Sequence, residues 1–288
     1  MNIKSYLIRQ QKIINCFLDE YLPSGDAFPA MIHQAMRYSV LTGGKRLRPM
    51  LVLASGEIVG GKTANLLPVA AAFELVHTYS LIHDDLPAMD NDDFRRGKPT
   101  SHKVFGEAIA ILAGDSLLTL AFQLMAERVK DSVLACLIIK ELSYAAGTRG
   151  MIGGQVLDII STQKSEVRSQ KSEVRKDLNR MHLMKTASLI RGAVRAGALA
   201  GGASSKQLVA LTRYGENIGL AFQITDDLLD NKQGSEGDKL TYPVVYDLKQ
   251  SKMIARRLIK EAKQALTIFG EKGKTLSALA DYILKRRA

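Results

Sequence analysis

The chain has 288 residues, of which 46% are hydrophobic and 24% are charged. This balance is typical of a globular protein that can bury a sizeable core. The formal net charge of +11 indicates an anionic substrate or partner. Nucleic acid is not expected as that partner, because the chain has no Trp, only 6% aromatic residues and no zinc-finger, RNA-recognition or basic-zipper motif.

The N-terminal segment alternates charged and apolar residues and lacks the apolar stretch of a signal peptide. The most apolar stretch, residues 108–126, contains Asp115 and Gln123, which predicts a buried helix rather than a membrane span. We therefore expect a cytoplasmic protein with no stable membrane association. Cys16 and Cys136 lie far apart in the sequence, which predicts free thiols in the core.

Apolar residues recur mostly at helical spacing, and alternating strand patterns bounded by hairpin turns are absent. The spacing predicts six long helices, over residues 66–85, 106–129, 131–148, 177–200, 205–230 and 247–269. With no recognisable linker, the sequence predicts one all-α domain over residues 1–288, a many-helix bundle with its chemistry inside. A tandem near-repeat, QKSEVRS and QKSEVRK at 163–176, predicts an exposed surface loop or helix extension.

Acidic residues are concentrated in two places, DDLPAMDNDD at 84–93 and DDLLD at 226–230. Such crowding is unfavourable unless cations neutralise it. Asp226 and Asp230 are separated by only about 40° around a helix, and Gln223 falls on the same face. Asp84 and Asp90 need a turn, which Pro87 favours by ending the helix. Oxygen ligands without His or Cys favour Mg²⁺, with substrate phosphates completing its coordination.

Basic residues form complementary groups that suit diphosphate oxygens. Lys45, Arg46 and Arg48 follow a glycine pair, and Arg95 and Arg96 follow the first acidic cluster.

His77 precedes Asp84 by seven residues and shares its side of the helix, which favours a ligand role. No nucleophile–base pair accompanies these groups. The combination predicts ionisation of an allylic or similarly activated diphosphate in a dry, helix-lined cavity.

The chain resembles the trans-isoprenyl diphosphate synthases, especially bacterial short-chain farnesyl diphosphate synthases, from about residue 30 to its end. The resemblance is carried by an ordered set of motifs: GGKRLRP at 43–49, ELVHTYSLIHDDLPAMDNDDFRRGKPT at 74–100, GGQVLDI at 153–159, Met-Lys-Thr at 184–186, FQITDDLLD at 222–230 and KLTYP at 239–243. It implies an isoprenoid synthase fold, a many-helix bundle around a deep central cavity, and a homodimer.

The resemblance also implies residue roles, which we carry over position by position. Magnesium, with manganese as a substitute, would be bound by Asp84, Asp85, Asp90, Asp226 and Asp230. Isopentenyl diphosphate would be held by Lys45, Arg48, His77 and Arg96. The allylic diphosphate would be contacted by Arg95, Lys185 and Lys239, with Thr186 and Gln223 turning oxygen dipoles towards the developing allylic cation.

By the same resemblance, Tyr79 and Ser80 lie at the floor of the tunnel that receives the growing chain. A bulky Tyr79 resembles a stop at fifteen carbons, so the expected product is (E,E)-farnesyl diphosphate. Geranylgeranyl or geranyl diphosphate synthase is the closest alternative. A terpene cyclase would not need Lys45, Arg48 and Arg96, and a non-catalytic regulatory subunit would be expected to lose its aspartates.

The sequence departs from the family pattern after Asp230. The segment NKQGSEGDKL at 231–240 is shorter than usual and lacks the Gly-Lys pair that the family often carries, with Lys232 as the one candidate substitute. This departure is the only feature that favours the regulatory subunit.

Overall fold

The computed structural model describes residues 3–163, 171–230 and 240–285. Its helices, in chain order, are α1 (Ile3–Tyr21), α2 (Ala30–Leu41), α3 (Leu47–Glu57), α4 (Thr63–Asp84), α5 (Ser101–Phe105), α6 (Glu107–Arg128), α7 (Ser132–Ala146), α8 (Met151–Gln163), α9 (Lys171–His182), α10 (Ser188–Ala200), α11 (Ser205–Asp230), α12 (Tyr242–Ala265) and α13 (Lys274–Lys285). A π-helical turn, Leu183–Ala187, joins α9 to α10, and a 3₁₀ segment, Leu266–Gly273, joins α12 to α13. The all-α prediction is confirmed.

One short hairpin interrupts the helices, which the sequence pattern did not indicate. Strand β1 (Phe94–Arg95) pairs antiparallel with β2 (Lys98–Pro99). Arg96 and Gly97 form the two-residue loop, and both have positive φ, 55° and 76°. This is the backbone that a tight hairpin requires, because its twist matches that of the strands. The hairpin follows the first acidic cluster directly and contains Arg95 and Arg96.

Helix α4 lies at the centre of the bundle and packs against α3, α6 and α10. Its buried residues occur on all sides, among them Leu66, Phe73 and Leu75, so it lacks the polar stripe of a surface helix. Helix α10 approaches α3 closely because Gly197 has no side chain, and a Cβ there would lie 2.2 Å from the carbonyl oxygen of Val52.

Two helix boundaries show how local side chains set the ends. Asp131 caps α7, accepting hydrogen bonds from the amides of Val133 and Leu134 at 2.9 and 3.1 Å. Asp247, predicted as a helix start, lies inside α12 with φ 64°, and its side chain accepts a hydrogen bond from the Gln250 amide at 2.8 Å. A short first turn precedes that kink, which is why α12 begins five residues earlier than predicted.

Two expectations about burial need correction. Cys16 and Cys136 are free, as predicted, but both are exposed, because they lie on the outer faces of α1 and α7. Helices α4 and α6 are long and apolar enough to cross a membrane by length and composition alone, and the most apolar window of α4 is 72% buried. The corresponding window of α6 is only 39% buried, so the prediction of a buried helix over 108–126 holds for one face of α6.

Candidate active site

A cavity of about 390 Å³ lies between the end of α4, the hairpin, the π turn and the second half of α11. Its lining includes residues from every predicted binding group: Arg48, His77, Arg95, Arg96, Thr186, Gln223 and Asp226, with Leu81, Phe94 and Phe222 as apolar wall. A larger cavity of about 800 Å³ shares Arg48, His77, Arg96 and Phe222 with it and extends past Lys45 towards α1 and α13. Residues that are 178 positions apart in the sequence, Arg48 and Asp226, thus face one space.

The first acidic cluster turns as the sequence predicted. Helix α4 ends at Asp84, and the Asp90 amide donates a hydrogen bond to the Asp84 carbonyl oxygen at 2.9 Å. Burial raises the pKa of the Asp84 carboxyl to about 6, and the negative charge of Asp90 adds to the rise while Lys185 opposes it. A carboxylate whose ionised form is disfavoured in this way gains the most from a bound cation.

Asp85 has different neighbours from Asp84, although the two are adjacent. Its side chain is buried, and Arg95 Nε donates to its Oδ1 at 2.7 Å. Arg95 also donates to Asp92 Oδ2 at 2.8 Å. Burial raises the pKa of Asp85, and Arg95 partly offsets that rise. In this structure Asp85 therefore holds the hairpin arginine in place, and its role as a metal ligand stays a prediction.

In the second cluster, helix α11 is unbroken as far as Asp230, its exposed last residue, and Asp226 lines the cavity beside Gln223. Asp227 is buried and accepts hydrogen bonds from the Tyr242 amide at 2.9 Å and from Gln223 Nε2 at 2.8 Å. Thr186 Oγ1 donates to Gln223 Oε1 at 2.5 Å. These two bonds fix which way the Gln223 amide points, so the two predicted oxygen dipoles share one network.

The π turn carries Thr186 to the cavity lining, with Lys185 next to it in the chain. π-helical turns are rare and occur often at functional positions. A Cβ on Gly154 of α8 would lie 2.1 Å from the Lys185 amide nitrogen, so the GGQVLDI glycine allows the turn to pass close by. The Lys185 ammonium pairs with Asp158 of the same motif. The motif therefore acts as a support for Lys185.

The glycine pair at 43–44 shapes the basic end of the site. Both residues have positive φ, 98° and 127°, and a Cβ on Gly44 would lie 2.5 Å from an Arg96 guanidinium nitrogen. Arg96 also donates to the Gly43 carbonyl oxygen. Lys45 and Arg48 line the adjoining cavity. The loop and the hairpin thus bring three of the predicted isopentenyl diphosphate ligands to one place.

His77 lies between these cations and is half-buried. Burial lowers the pKa of its imidazole well below the usual value, and the charges of Arg48 and Arg96 lower it further. The ring is therefore neutral at pH 7 and can donate one hydrogen bond to a phosphate oxygen without adding charge.

Tyr79 and Ser80 lie one turn before Asp84. Tyr79 is 5% exposed, and its hydroxyl has no hydrogen-bond partner among the described residues. Burial raises its pKa to about 12, and Asp84 contributes to the rise. Ser80 Oγ donates to the His77 carbonyl oxygen at 2.9 Å. Of the two, Tyr79 is the residue large enough to fill the space below the cluster.

Lys239 and the shortened segment at 231–239, including Lys232, lie outside the described residues. So does most of the first copy of the tandem repeat, while the second copy begins α9. Among the described residues, no three His, Cys, Asp or Glu side chains converge closely enough to hold a metal ion by themselves.

Residues 29–278, most of the chain, match the polyprenyl synthetase family. The chain belongs to the polyprenyl synthetase family. It is therefore a trans-prenyltransferase, and the resemblance carried by its motifs is confirmed at that level.

Similar proteins agree with this assignment over nearly the whole chain. A geranylgeranyl diphosphate synthase of Cyanophora paradoxa is 43% identical over 299 residues, covering 99% of this chain and 97% of the relative. A dimethylallyltranstransferase of Fischerella ambigua is 43% identical over 300 residues, covering 99% and 84%. The crystal structure of an FPP/GFPP synthase from Zymomonas mobilis superposes with a TM-score of 0.90 at 36% identity, covering 98% and 99%. Most of the similar curated relatives are named geranylgeranyl synthases.

Three charged residues of this polyprenyl synthetase, Arg46, Asp158 and Asp227, are bonded to other side chains of the protein, which the sequence pattern did not indicate. Arg46 was grouped with Lys45 and Arg48, but its side chain is buried and pairs with Glu74 at 2.7 Å. Asp227 orients Gln223, and Asp158 pairs with Lys185.

Proposed function

We propose that this trans-prenyltransferase condenses isopentenyl diphosphate with short allylic diphosphates and that geranylgeranyl diphosphate is its main product. The observation that supports this product is the 43% identity to the Cyanophora paradoxa geranylgeranyl diphosphate synthase over almost the full length of both chains. The sequence motifs alone predicted farnesyl diphosphate, with geranylgeranyl diphosphate as an alternative. The relatives favour the alternative.

The two adjoining cavities offer basic residues for two diphosphates side by side. Lys45, Arg48, His77 and Arg96 surround the end that would receive isopentenyl diphosphate. Arg95, Thr186, Gln223 and Asp226 line the end that would receive the allylic substrate. Phe222 borders both spaces and gives them a common apolar wall. Two anions that would repel each other in water can therefore bind as neighbours, because Arg48 and Arg96 line both spaces and Arg95 adds a cation at the allylic end.

The reaction that fits these groups begins when the carbon–oxygen bond of the allylic diphosphate breaks, leaving an allylic cation and free diphosphate. The oxygens of Thr186 and Gln223, held by their mutual hydrogen bond, face the developing positive charge. The double bond of isopentenyl diphosphate attacks the cation and forms the new carbon–carbon bond. The resulting cation then loses a proton to the released diphosphate, which leaves the new double bond of the product.

The residues present fit a divalent cation. The donors are carboxylates alone, and burial raises the pKa of Asp84, so its ionised form would gain from a bound cation. We propose that Asp84, Asp90, Asp226 and Asp230 hold Mg²⁺, with Mn²⁺ as a substitute. When bound, the ion would draw electrons towards the leaving diphosphate.

A product assay tests the proposal directly. Purified protein is incubated with Mg²⁺, labelled isopentenyl diphosphate and dimethylallyl, geranyl or farnesyl diphosphate, and the dephosphorylated products are sized. Twenty-carbon product from all three primers would support geranylgeranyl diphosphate, while accumulation of fifteen-carbon product would return the assignment to farnesyl diphosphate. Folded protein that uses no primer would favour a non-catalytic subunit.

Tyr79 favours farnesyl diphosphate as the second candidate product, because an aromatic side chain that is 5% exposed fills the space one turn before Asp84. We expect Tyr79→Ala to lengthen the main product by at least one five-carbon unit, since it removes most of a ring from the proposed tunnel floor. Tyr79→Phe is the matched control and should leave the length unchanged. An unchanged product in Tyr79→Ala would show that the floor lies elsewhere.

We further propose that the protein is a homodimer joined through α6 and α7. These helices expose five large apolar side chains, Ile111, Leu112, Val133, Leu137 and Tyr144, each at least 43% exposed. Homodimer interfaces are more apolar than the rest of a protein surface. The incomplete burial of α6, an unusually apolar helix, is explained if a second copy covers its outer face.

We expect Leu112→Asp to convert the dimer to monomers, because it would bury an unpaired charge in the interface. Val209→Asp is the matched control, since Val209 is 70% exposed on α11. Sedimentation velocity measures the mass of each variant. A monomeric wild-type protein, or a Leu112→Asp variant that stays dimeric, would contradict the proposed interface.

A further inference from the structure

We infer that His83 is a positioning residue that fixes Asp84 and Tyr79 against α6. The inference rests on the proposed function, because it gives His83 a task in that site. None of the motif-based assignments uses His83, although it lies next to the first aspartate of the cluster.

The His83 ring is held from two sides. Its Nε2 lies 3.0 Å from the carbonyl oxygen of Ile111 on α6. A carbonyl oxygen only accepts hydrogen bonds, so Nε2 is the protonated nitrogen in this contact. The Tyr79 ring packs edge-on against the imidazole, with the centroids 5.7 Å apart and the planes at 74°. One side chain therefore joins the proposed tunnel floor to α6.

Gly114 makes room for this ring. A Cβ at Gly114 would lie 2.1 Å from His83 Nε2 and 2.5 Å from Cδ2, far inside van der Waals contact. Glycine in a helix interior is unfavourable relative to alanine. Gly114 lies within α6, so its presence there needs a packing reason, and the imidazole supplies one.

This contact lies next to the first acidic cluster in the chain. His83 is the last residue before Asp84, where α4 ends and the chain turns back towards Asp90. Ile111, whose carbonyl accepts the bond, exposes 43% of its own surface on the proposed dimer face. The same turn of α6 therefore faces the proposed second copy through the Ile111 side chain and contacts His83, the residue before the first acidic cluster, through the Ile111 carbonyl oxygen.

The test compares His83→Ala, His83→Gln, Gly114→Ala and the double variant His83→Ala/Gly114→Ala with wild type. Three quantities are measured: kcat, the Mg²⁺ concentration for half-maximal rate, and the shift in melting temperature caused by Mg²⁺ with inorganic diphosphate. The glutamine variant keeps an N–H donor near the position of Nε2. The double variant removes the ring that an added methyl group at position 114 would strike.

We expect His83→Ala and Gly114→Ala each to lower kcat about 10- to 100-fold, the effect of small displacements of catalytic groups. Both variants should need more Mg²⁺ for half-maximal rate and show a smaller rise in melting temperature with Mg²⁺ and diphosphate. His83→Gln should lie close to wild type in all three quantities. The double variant should be no worse than His83→Ala, because the methyl group then meets no ring. Should His83→Ala be unfolded, His83→Gln is compared with His83→Leu, which lacks the donor.

The inference would be overturned by variants that melt at a lower temperature but keep the wild-type Mg²⁺ requirement and the wild-type melting shift with Mg²⁺ and diphosphate. His83 would then serve packing alone. Additive losses in the double variant would overturn it as well. Wild-type protein that makes no product would instead refute the proposed function, and the melting shifts would still decide the role of His83.

Discussion

Replacing Asp84 with alanine should lower kcat by about 1,000-fold or more, because cation stabilisation of a leaving group is worth several kcal/mol and each 1.36 kcal/mol is tenfold in rate. Asp84 is the acidic residue of the first cluster that is half-buried and has no arginine bonded to it in the described structure. Its burial makes the loss large, since water replaces a buried ligand poorly. The measurement is single-turnover kinetics with a fixed primer at several Mg²⁺ concentrations.

Asp93→Ala is the matched control for this prediction. Asp93 belongs to the same acidic run, but its side chain is 60% exposed and pairs with Lys103 at 2.7 Å. Its removal should leave the rate within a few-fold of wild type, as expected for a surface ion pair. Near-normal turnover in Asp84→Ala would contradict the proposed metal site. Equal losses in both variants would show that the effect comes from the hairpin segment as a whole.

The sequence could predict those parts of the fold that depend on local periodicity. The helical spacing of apolar residues predicted α11 to its observed ends, and Pro87 predicted the turn that brings Asp90 back to Asp84. Both features are decided by residues within one or two turns of each other. The all-α class follows from the same pattern repeated along the chain.

The sequence could not predict which members of a charged cluster face the substrate. Adjacent helical residues point about 100° apart, so Asp84 and Asp85 reach different neighbours. Asp85 meets Arg95 because a hairpin with two-residue strands folds back onto it, and strands that short have no periodicity to detect. The π turn at Lys185 likewise depends on Gly154, which lies 31 residues earlier in the chain.

Arg46 is the clearest case of a charged residue whose surroundings the sequence could not predict. Its replacement should also have a large effect on the free energy of unfolding. Its guanidinium lies in the bundle and bonds Glu74 at 2.7 Å, Asn15 Oδ1 at 2.8 Å and the Val40 carbonyl oxygen at 2.6 Å. The Arg46 and Glu74 side chains are 0% and 2% exposed. Nothing near Arg46 in the sequence distinguishes it from Lys45, because its partner lies 28 residues away.

We expect Arg46→Ala to lower the free energy of unfolding by about 3–5 kcal/mol, because it leaves the Glu74 carboxylate buried without its partner. Urea denaturation of the purified variant measures the change. The double variant Arg46→Met/Glu74→Leu should recover most of the loss, since apolar side chains of similar size can replace a buried ion pair. A double variant as unstable as the sum of the two single changes would show that the hydrogen bonds to Asn15 and Val40, rather than the ion pair, hold the loop that carries Lys45 and Arg48.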